Sequence, residues 1–174
     1  MKVSQLITNL PIVIGLTGMD CAGKTTLAKK IFEDLKSQGH HCTLLHIDDF
    51  NNHEVQDRIY RSYEKGLFSE ELGELYYHKS IDYPAVAQAI VKSREQYEVT
   101  IIEGVFLFKD MLRPLIDLRI FMPVDPMVAR RRYIQRRTEV ADTRPISVFD
   151  DIWWPAFERY CMEIQPETIC DLTL

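Results

Sequence analysis

The sequence predicts an α/β protein of three layers, with an open, mainly parallel five-stranded sheet and helices on both faces. Three observations predict it. Apolar, β-branched runs alternate with helical patterns, the strand–helix–strand rhythm of a parallel sheet. A glycine-containing turn, Gly18-Met19-Asp20-Cys21-Ala22-Gly23-Lys24-Thr25, separates the first such run from the first helix. Two later runs end on acids, at Asp48-Asp49 and at Glu103.

The elements follow in order. Lys2 to Asn9 reads as a short leading helix or arm, and Ile12-Val13-Ile14-Gly15-Leu16 as a buried first strand. The segment from Thr25 to Phe32 opens a helix that ends near Ser37-Gln38-Gly39, where Gly39 suits a C-terminal cap. Cys42 to Ile47 is a second strand, closing on Asp48-Asp49-Phe50. From Asn51 to Tyr77 the pattern is polar and aromatic, with Tyr60, Tyr63, Phe68, Tyr76 and Tyr77 among charges. It predicts helical pieces without a clean stripe. A clearer helix runs from Tyr83 to Ser93, with Pro84 in its first turn and Val86, Ala87, Ile90 and Val91 facing inward. Val99 to Gly104 is a third strand and Leu118 to Val124 a fourth. Asp125 and Pro126 have the chemistry of an N-cap and a first helical residue, opening the helix that carries the arginines. A last helix spans Val148 to Ile164, and Thr168 to Leu174 supplies a fifth strand.

The chain's 174 residues fit one domain, 1–174, with the lid at approximately 130–147. A hydrophobic content of 46% with 27% charged residues is that of a soluble globular protein. The net charge of −5 argues against a nucleic-acid-coating surface, and no run approaches transmembrane length, so neither nucleic acid nor membrane is an expected partner. Cys21, Cys42, Cys161 and Cys170 are scattered without metal-ligand spacing, as expected of thiols in a reducing cytosol. The amino-terminal apolar run leads directly into the glycine turn and reads as a strand, not a signal peptide. The expectation is a cytoplasmic protein, monomeric or homodimeric.

The chemistry begins at the glycine turn, which satisfies G-x-x-x-x-G-K-[ST] between a strand and a helix, the context a phosphate-binding P-loop needs. Backbone N–H groups and the helix N-terminus cradle a polyphosphate there. Gly18, Asp20, Cys21, Ala22, Gly23, Lys24, Thr25 and Thr26 are therefore the expected nucleotide-binding residues, with Lys24 on the β- and γ-phosphates and the Thr25 hydroxyl on Mg²⁺. Asp20 is an oddity in that set, a negative charge near phosphates unless it points away. Oxidation of Cys21 would block the loop.

Ligands of open parallel sheets bind beyond the carboxyl ends of the strands, so Asp48 and Glu103 should converge on the P-loop. A carboxylate there can orient Mg²⁺ or take the proton of an attacking hydroxyl. Arg130, Arg131, Arg132, Arg136 and Arg137 form the densest positive cluster of the acidic chain. Arg132 and Arg136 share one helix face. The segment that follows them, Thr138 to Pro145, reads as a mobile loop, so the pair suits a lid closing on the transferring phosphoryl group.

Together these segments resemble the uridine kinase-like branch of P-loop kinases, and nicotinamide riboside kinases in particular. The matching stretches are Gly18–Thr26, Ile47-Asp48-Asp49-Phe50, Ser80-Ile81-Asp82-Tyr83-Pro84, the run from Ile101 to Phe108, the arginine-rich lid and the segment from Phe149 to Pro155. The resemblance covers nearly the whole chain. It implies the P-loop NTPase three-layer fold with an arginine-rich lid, and an ATP- and Mg²⁺-dependent transfer of the γ-phosphate to a small-molecule hydroxyl, most closely the 5′-OH of a nucleoside or riboside. It further implies that Asp48 is the general base and that Lys24 and Thr25 contact phosphate and Mg²⁺. Glu103 is then the acid near the metal, and Asp82 the carboxylate for the ribose hydroxyls. Asp82 is equally suited to capping the helix at Pro84. A one-residue insertion in the lid leaves Arg131, Arg132 and Arg136 as alternatives for the phosphate-contacting arginines.

The resemblance breaks between Asp82 and Glu103, where uridine kinases carry a base-selecting hairpin and this chain has room for one helix and a turn. Tyr60, Tyr63, Tyr76, Tyr77 and Trp153 could stack on a substrate ring or serve as packing. The alternatives are a kinase for another small alcohol, such as a vitamin precursor or sugar phosphate, and a non-catalytic nucleotide-binding regulator. The regulator would be expected to lose the strand-end acids, and a GTPase-like switch would need an Asn-Lys-x-Asp stretch that this sequence lacks.

Overall fold

The computed structural model describes residues 3, 7, 9–67, 70–139, 142 and 144–174. Most of the expected leading arm, together with Phe68 and the lid residues Val140, Ala141 and Thr143, lies outside the described residues.

Five parallel strands, β1 (Ile12–Gly18), β2 (Cys42–His46), β3 (Val99–Gly104), β4 (Leu118–Met122) and β5 (Leu172–Thr173), lie in the order β2-β3-β1-β4-β5. The period-2 alternation of side chains divides the core in two. Ile12, Ile14 and Leu16 of β1 and Val99 and Ile101 of β3 pack with Ala28, Ile31 and Leu35 of helix α1 (Lys24–Ser37). Val13 and Ile102 face the other way, toward Val86 and Ile90 of helix α4 (Tyr83–Gln96) and the aromatic core beneath it. All seven residues of β1 are buried, which explains its unbroken apolar run.

α1 ends as expected at Gly39, whose N–H reaches the Lys36 carbonyl at 3.0 Å while His40 N–H reaches Leu35 at 3.2 Å. Between β2 and α4 the polar, aromatic stretch forms two helices, α2 (His53–Glu64) and α3 (Glu70–Lys79). This excursion is closed at its root. Asn51 bridges Ile81, Asn52 N–H donates to Ser80 O at 2.8 Å, and Asp82 N–H donates to Phe50 O at 2.9 Å.

Four boundaries or faces differ from expectation. β4 stops at Met122 because Pro123 has no N–H to continue the ladder. Val91 of α4 turns outward at 48% exposure, and Ser93 takes the inner position, with its hydroxyl donating to Ile90 O. The last helix divides into a π-helical turn, Phe149–Trp153, and α6 (Trp154–Ile164). β5 is two residues long because Gln165 takes a left-handed conformation and Pro166 starts a one-turn helix, α7 (Pro166–Ile169). The arginine helix α5 (Pro126–Glu139) is capped as expected, with Asp125 Oδ1 accepting from the N–H groups of Met127 and Val128 at 2.9 and 3.1 Å.

Candidate active site

The carboxyl ends of β1, β2 and β3 open onto a cleft of about 780 Å³. Its floor is the turn between β1 and α1. Gly23 holds φ +98° at the start of the helix, a conformation that glycine adopts without penalty. The first N–H groups of α1 have no intrahelical partner, an arrangement that favours an anion there. Asp20, Cys21, Ala22, Gly23, Lys24, Thr25 and Thr26 all line the cleft. Gly18 does not. It lets β1 pass β4, since a Cβ there would lie 2.4 Å from the Met122 carbonyl.

Lys24 is buried, with Nζ donating to Met19 O at 3.0 Å and standing 4.0 Å from Asp20. The parallel register sets His46 beside Glu103. Glu103 Oε1 lies 2.7 Å from His46 Nδ1 and accepts from the Thr25 hydroxyl at 2.9 Å. His46 was not anticipated as a functional residue, although strand pairing alone brings it there. Asp48 sits one turn beyond β2 and lines the cleft with Glu103. Their closeness depends on Gly104, where a Cβ would come within 1.9 Å of Ile47 Cγ2. The Asp48 side chain is open to the cleft by surface area, yet protein walls crowd it. This burial, with the Asp20 and Glu103 carboxylates, pushes it up to about 6, against the pull of Lys24 and Arg136.

Thr25 and Glu103 present one hydroxyl and one carboxylate, with Asp48 nearby. Among the described residues no cluster of three His, Cys, Asp or Glu could cage a metal by itself. That oxygen-only, incomplete donor set fits Mg²⁺, which keeps several waters and shares its coordination with phosphate oxygens.

A second cavity of about 210 Å³ adjoins the first and meets it at Asp20, Cys21, Asp48, Val105 and Arg136. The excursion supplies Asn51, Gln56, Tyr60, Tyr76 and Ile81, and the lid side supplies Tyr133, Arg137, Asp142, Arg144 and Trp153. Arg144 pairs with Asp142 at 2.6 Å, donates to Tyr60 Oη at 3.3 Å and lies over the Trp153 ring at 4.7 Å. Trp153 Nε1 donates to the same Tyr60 oxygen at 3.3 Å.

Of the expected lid arginines, Arg132 and Arg136 line the main cleft, and Arg132 donates to Cys21 O at 3.0 Å. Arg131 is exposed and outside both linings, because a one-residue step turns it about 100° around the helix from Arg132. Arg130 is occupied by Asp150 at 2.7 Å. Asp142 and Arg144, within the segment expected to be a mobile loop, are held by the contacts just described. Asp82 takes the capping role, its Oδ1 accepting from Ala85 N–H at 3.0 Å, and lies outside both linings. Tyr60, Tyr76 and Trp153 reach the second cavity. Tyr77 is instead packed under Lys109 and Phe106, and Tyr63 binds Ser147 and Asp151. All four cysteines are free thiols, and burial raises the Cys21 thiol, which opposes ready oxidation. Among the described residues no helix is long and apolar enough to cross a membrane.

The family model of adenylylsulphate kinase matches residues 10–65. A uridine kinase of Ligilactobacillus salivarius is 31% identical over 91% of this chain and 81% of its own length. One from Leuconostoc citreum is 32% identical over 72% and 68%. A possible uridine kinase from Bacillus stearothermophilus, solved as a structure, shares the fold with a TM-score of 0.69 at 21% identity, over 99% of this chain and 94% of that one. A shikimate kinase from Acinetobacter baumannii shares it more loosely, at a TM-score of 0.54 and 15% identity over 98% and 86%. With a complete P-loop at the carboxyl edge of a parallel sheet and relatives of this extent, the chain belongs to the uridine kinase-like family of P-loop kinases and is a phosphotransferase.

Proposed function

We propose that this protein is a nucleoside or riboside kinase that uses ATP and Mg²⁺ to phosphorylate a primary hydroxyl, the 5′-OH of a uridine- or nicotinamide riboside-type acceptor. One observation carries the reading: Asp48 stands where a phosphate-binding cleft and a smaller, aromatic-walled cavity meet. A switch or regulator has no use for the second cavity or for a carboxylate between the two. The uridine kinases to which the chain is similar support a nucleoside as acceptor.

The turn's N–H groups and Lys24 bind the donor's phosphates, Lys24 exchanging Met19 O for phosphate oxygen. Thr25 and Glu103, with Asp48 nearby, would hold Mg²⁺, which when bound neutralises phosphate charge and orients the donor. Glu103 is itself held in place by His46. Asp48 accepts the proton of the acceptor hydroxyl, whose oxygen bonds to the γ-phosphorus. The bond from that phosphorus to the β,γ-bridging oxygen breaks, and ADP leaves with its electron pair. Arg132 and Arg136, on residues 130–147 acting as a lid, stabilise the charge on the transferring group. Four free thiols suit a reducing, cytoplasmic setting.

The test is a screen of alcohols and ribosides for ATP-dependent phosphorylation, followed by Asp48→Asn on the best acceptor. Loss of a general base should lower kcat by about 10²- to 10⁴-fold with ATP affinity retained. Phosphorylation by the variant at the unmodified rate would remove Asp48 from that role.

A further inference from the structure

The P-loop carries a carboxylate, Asp20, to which the phosphate chemistry proposed above gives no role. Met19 is buried at 1% exposure and the chain turns sharply at Cys21, φ 63°, so Asp20 between them faces outward into the site. It lines the donor cleft and the acceptor cavity alike. Its side chain is 32% exposed and stands 4.0 Å from Lys24 Nζ, and among the described residues its carboxylate accepts no hydrogen bond. A negative charge beside a polyphosphate opposes donor binding, so its use lies on the acceptor side.

The acceptor cavity has three carboxylates. Asp48 is committed to the attacking hydroxyl in the reading above. Asp142 is committed to Arg144, through hydrogen bonds of 2.8 and 2.6 Å. Asp20 remains, partly exposed, with Oδ1 4.0 Å from Lys24 Nζ and, among the described residues, no hydrogen bond to spend it on. Asp82, the carboxylate expected to meet ribose hydroxyls, spends an oxygen on the α4 cap outside the lining.

We propose that Asp20 is a specificity-determining residue that accepts hydrogen bonds from a hydroxyl of the acceptor other than the one phosphorylated, so that the enzyme selects polyhydroxylated acceptors over their deoxy analogues. This rests on the riboside reading for the identity of the acceptor. A carboxylate can take two hydrogen bonds from a vicinal pair of hydroxyls, and each is charge-assisted. Its reach from the P-loop ties acceptor choice to the element that holds the donor.

The experiment is a substitution cycle. Unmodified protein, Asp20→Asn, Asp20→Ser and Asp82→Asn are assayed with ATP and uridine, 2′-deoxyuridine and 3′-deoxyuridine, with thermal melts as folding controls. The unmodified protein should lose about 10- to 100-fold in kcat/KM when the contacted hydroxyl is removed, as expected for a hydrogen bond to a charged group. Both Asp20 variants should lose a similar factor on uridine, chiefly in acceptor KM. They should no longer distinguish uridine from the deoxy analogue, and the ATP KM should move less than about threefold. The assignment is overturned if the Asp20 variants change the ATP KM and leave acceptor KM unaltered, because Asp20 then serves Lys24. It is also overturned if Asp82→Asn, and not Asp20→Asn, erases the discrimination. If the unmodified protein phosphorylates no riboside, the riboside reading fails by itself. The cycle is then run on the alcohol identified by ADP release, and an acceptor with a single hydroxyl overturns the Asp20 assignment as well.

Discussion

Around the cleft proposed for the donor, about half of the wall is one run of chain, residues 20–27, and the groups proposed to bind are backbone N–H groups at a helix start. Around the acceptor cavity the wall is side chains from α2, α3, the stretch after β2, the lid and the π-helical turn. A site made of backbone needs particular glycines at particular spacings, so it is written locally as a motif. A site made of side chains gathered by folding leaves no spacing to read. The two halves should therefore respond differently to substitution: one through the donor's chemistry, the other through the acceptor's affinity.

The largest effect that would sharpen this contrast lies at the seam. Arg136→Ala should reduce kcat by about 10²- to 10³-fold, in the range for removing one preorganised charge-stabilising group. α5 should stay folded, since the Arg136 side chain is exposed. Rapid-quench measurement of the phosphoryl-transfer step checks it, and an effect confined to acceptor KM would move Arg136 wholly into the acceptor half.

A pH profile comes next. Asp48 must be ionised to take a proton, and its crowded position raises it to about 6. The kcat/KM should therefore be level above about pH 7 and fall as pH drops through 6, approaching tenfold per unit below it. An ordinary Asp would hold activity down to about pH 4. A flat profile from pH 7 to 5 would break the link between the seam and its acidic neighbours.

The smallest effect belongs to the acceptor wall. Tyr60→Phe removes the oxygen shared by Arg144 and Trp153. It should raise acceptor KM by about two- to tenfold, the equivalent of one net hydrogen bond, with ATP KM unchanged. Initial-rate kinetics with each substrate varied in turn check it, and an equal shift in both constants would erase the distinction between the halves.

Legibility followed the same line. Asp48 and Glu103 could be read because each closes an apolar strand run, and open parallel sheets place such ends at the ligand. All five strands were readable for the same reason, although Pro123 and Pro166 cut two of them short. His46 was recoverable in principle from strand register, since the last residues of the second and third strand runs, before Ile47 and Gly104, lie abreast. Arg137 could not be told from its neighbours in a run of arginines, and Arg144 stood alone in the predicted loop, its placement resting on Tyr60 and Trp153 arriving from distant parts of the chain. Asp82 shows the converse hazard. Its residue type and its place before Pro84 suited two jobs, and the cap is the one that the local backbone itself completes.

The closure of the excursion at Asn51 and Ile81 has a consequence for how such an enzyme can change. Everything between those residues leaves and re-enters the sheet layer at one point, which makes the helix pair a detachable cassette in chain terms. Altering the length of a flexible segment pinned at its ends costs little, about 0.6 kcal/mol for each doubling. Insertions or exchanges within 52–80 can thus resize the room for an acceptor while the strand register that aligns Glu103, His46 and the phosphate cradle stays fixed. The same catalytic edge can be refitted to a new alcohol by editing one contiguous stretch.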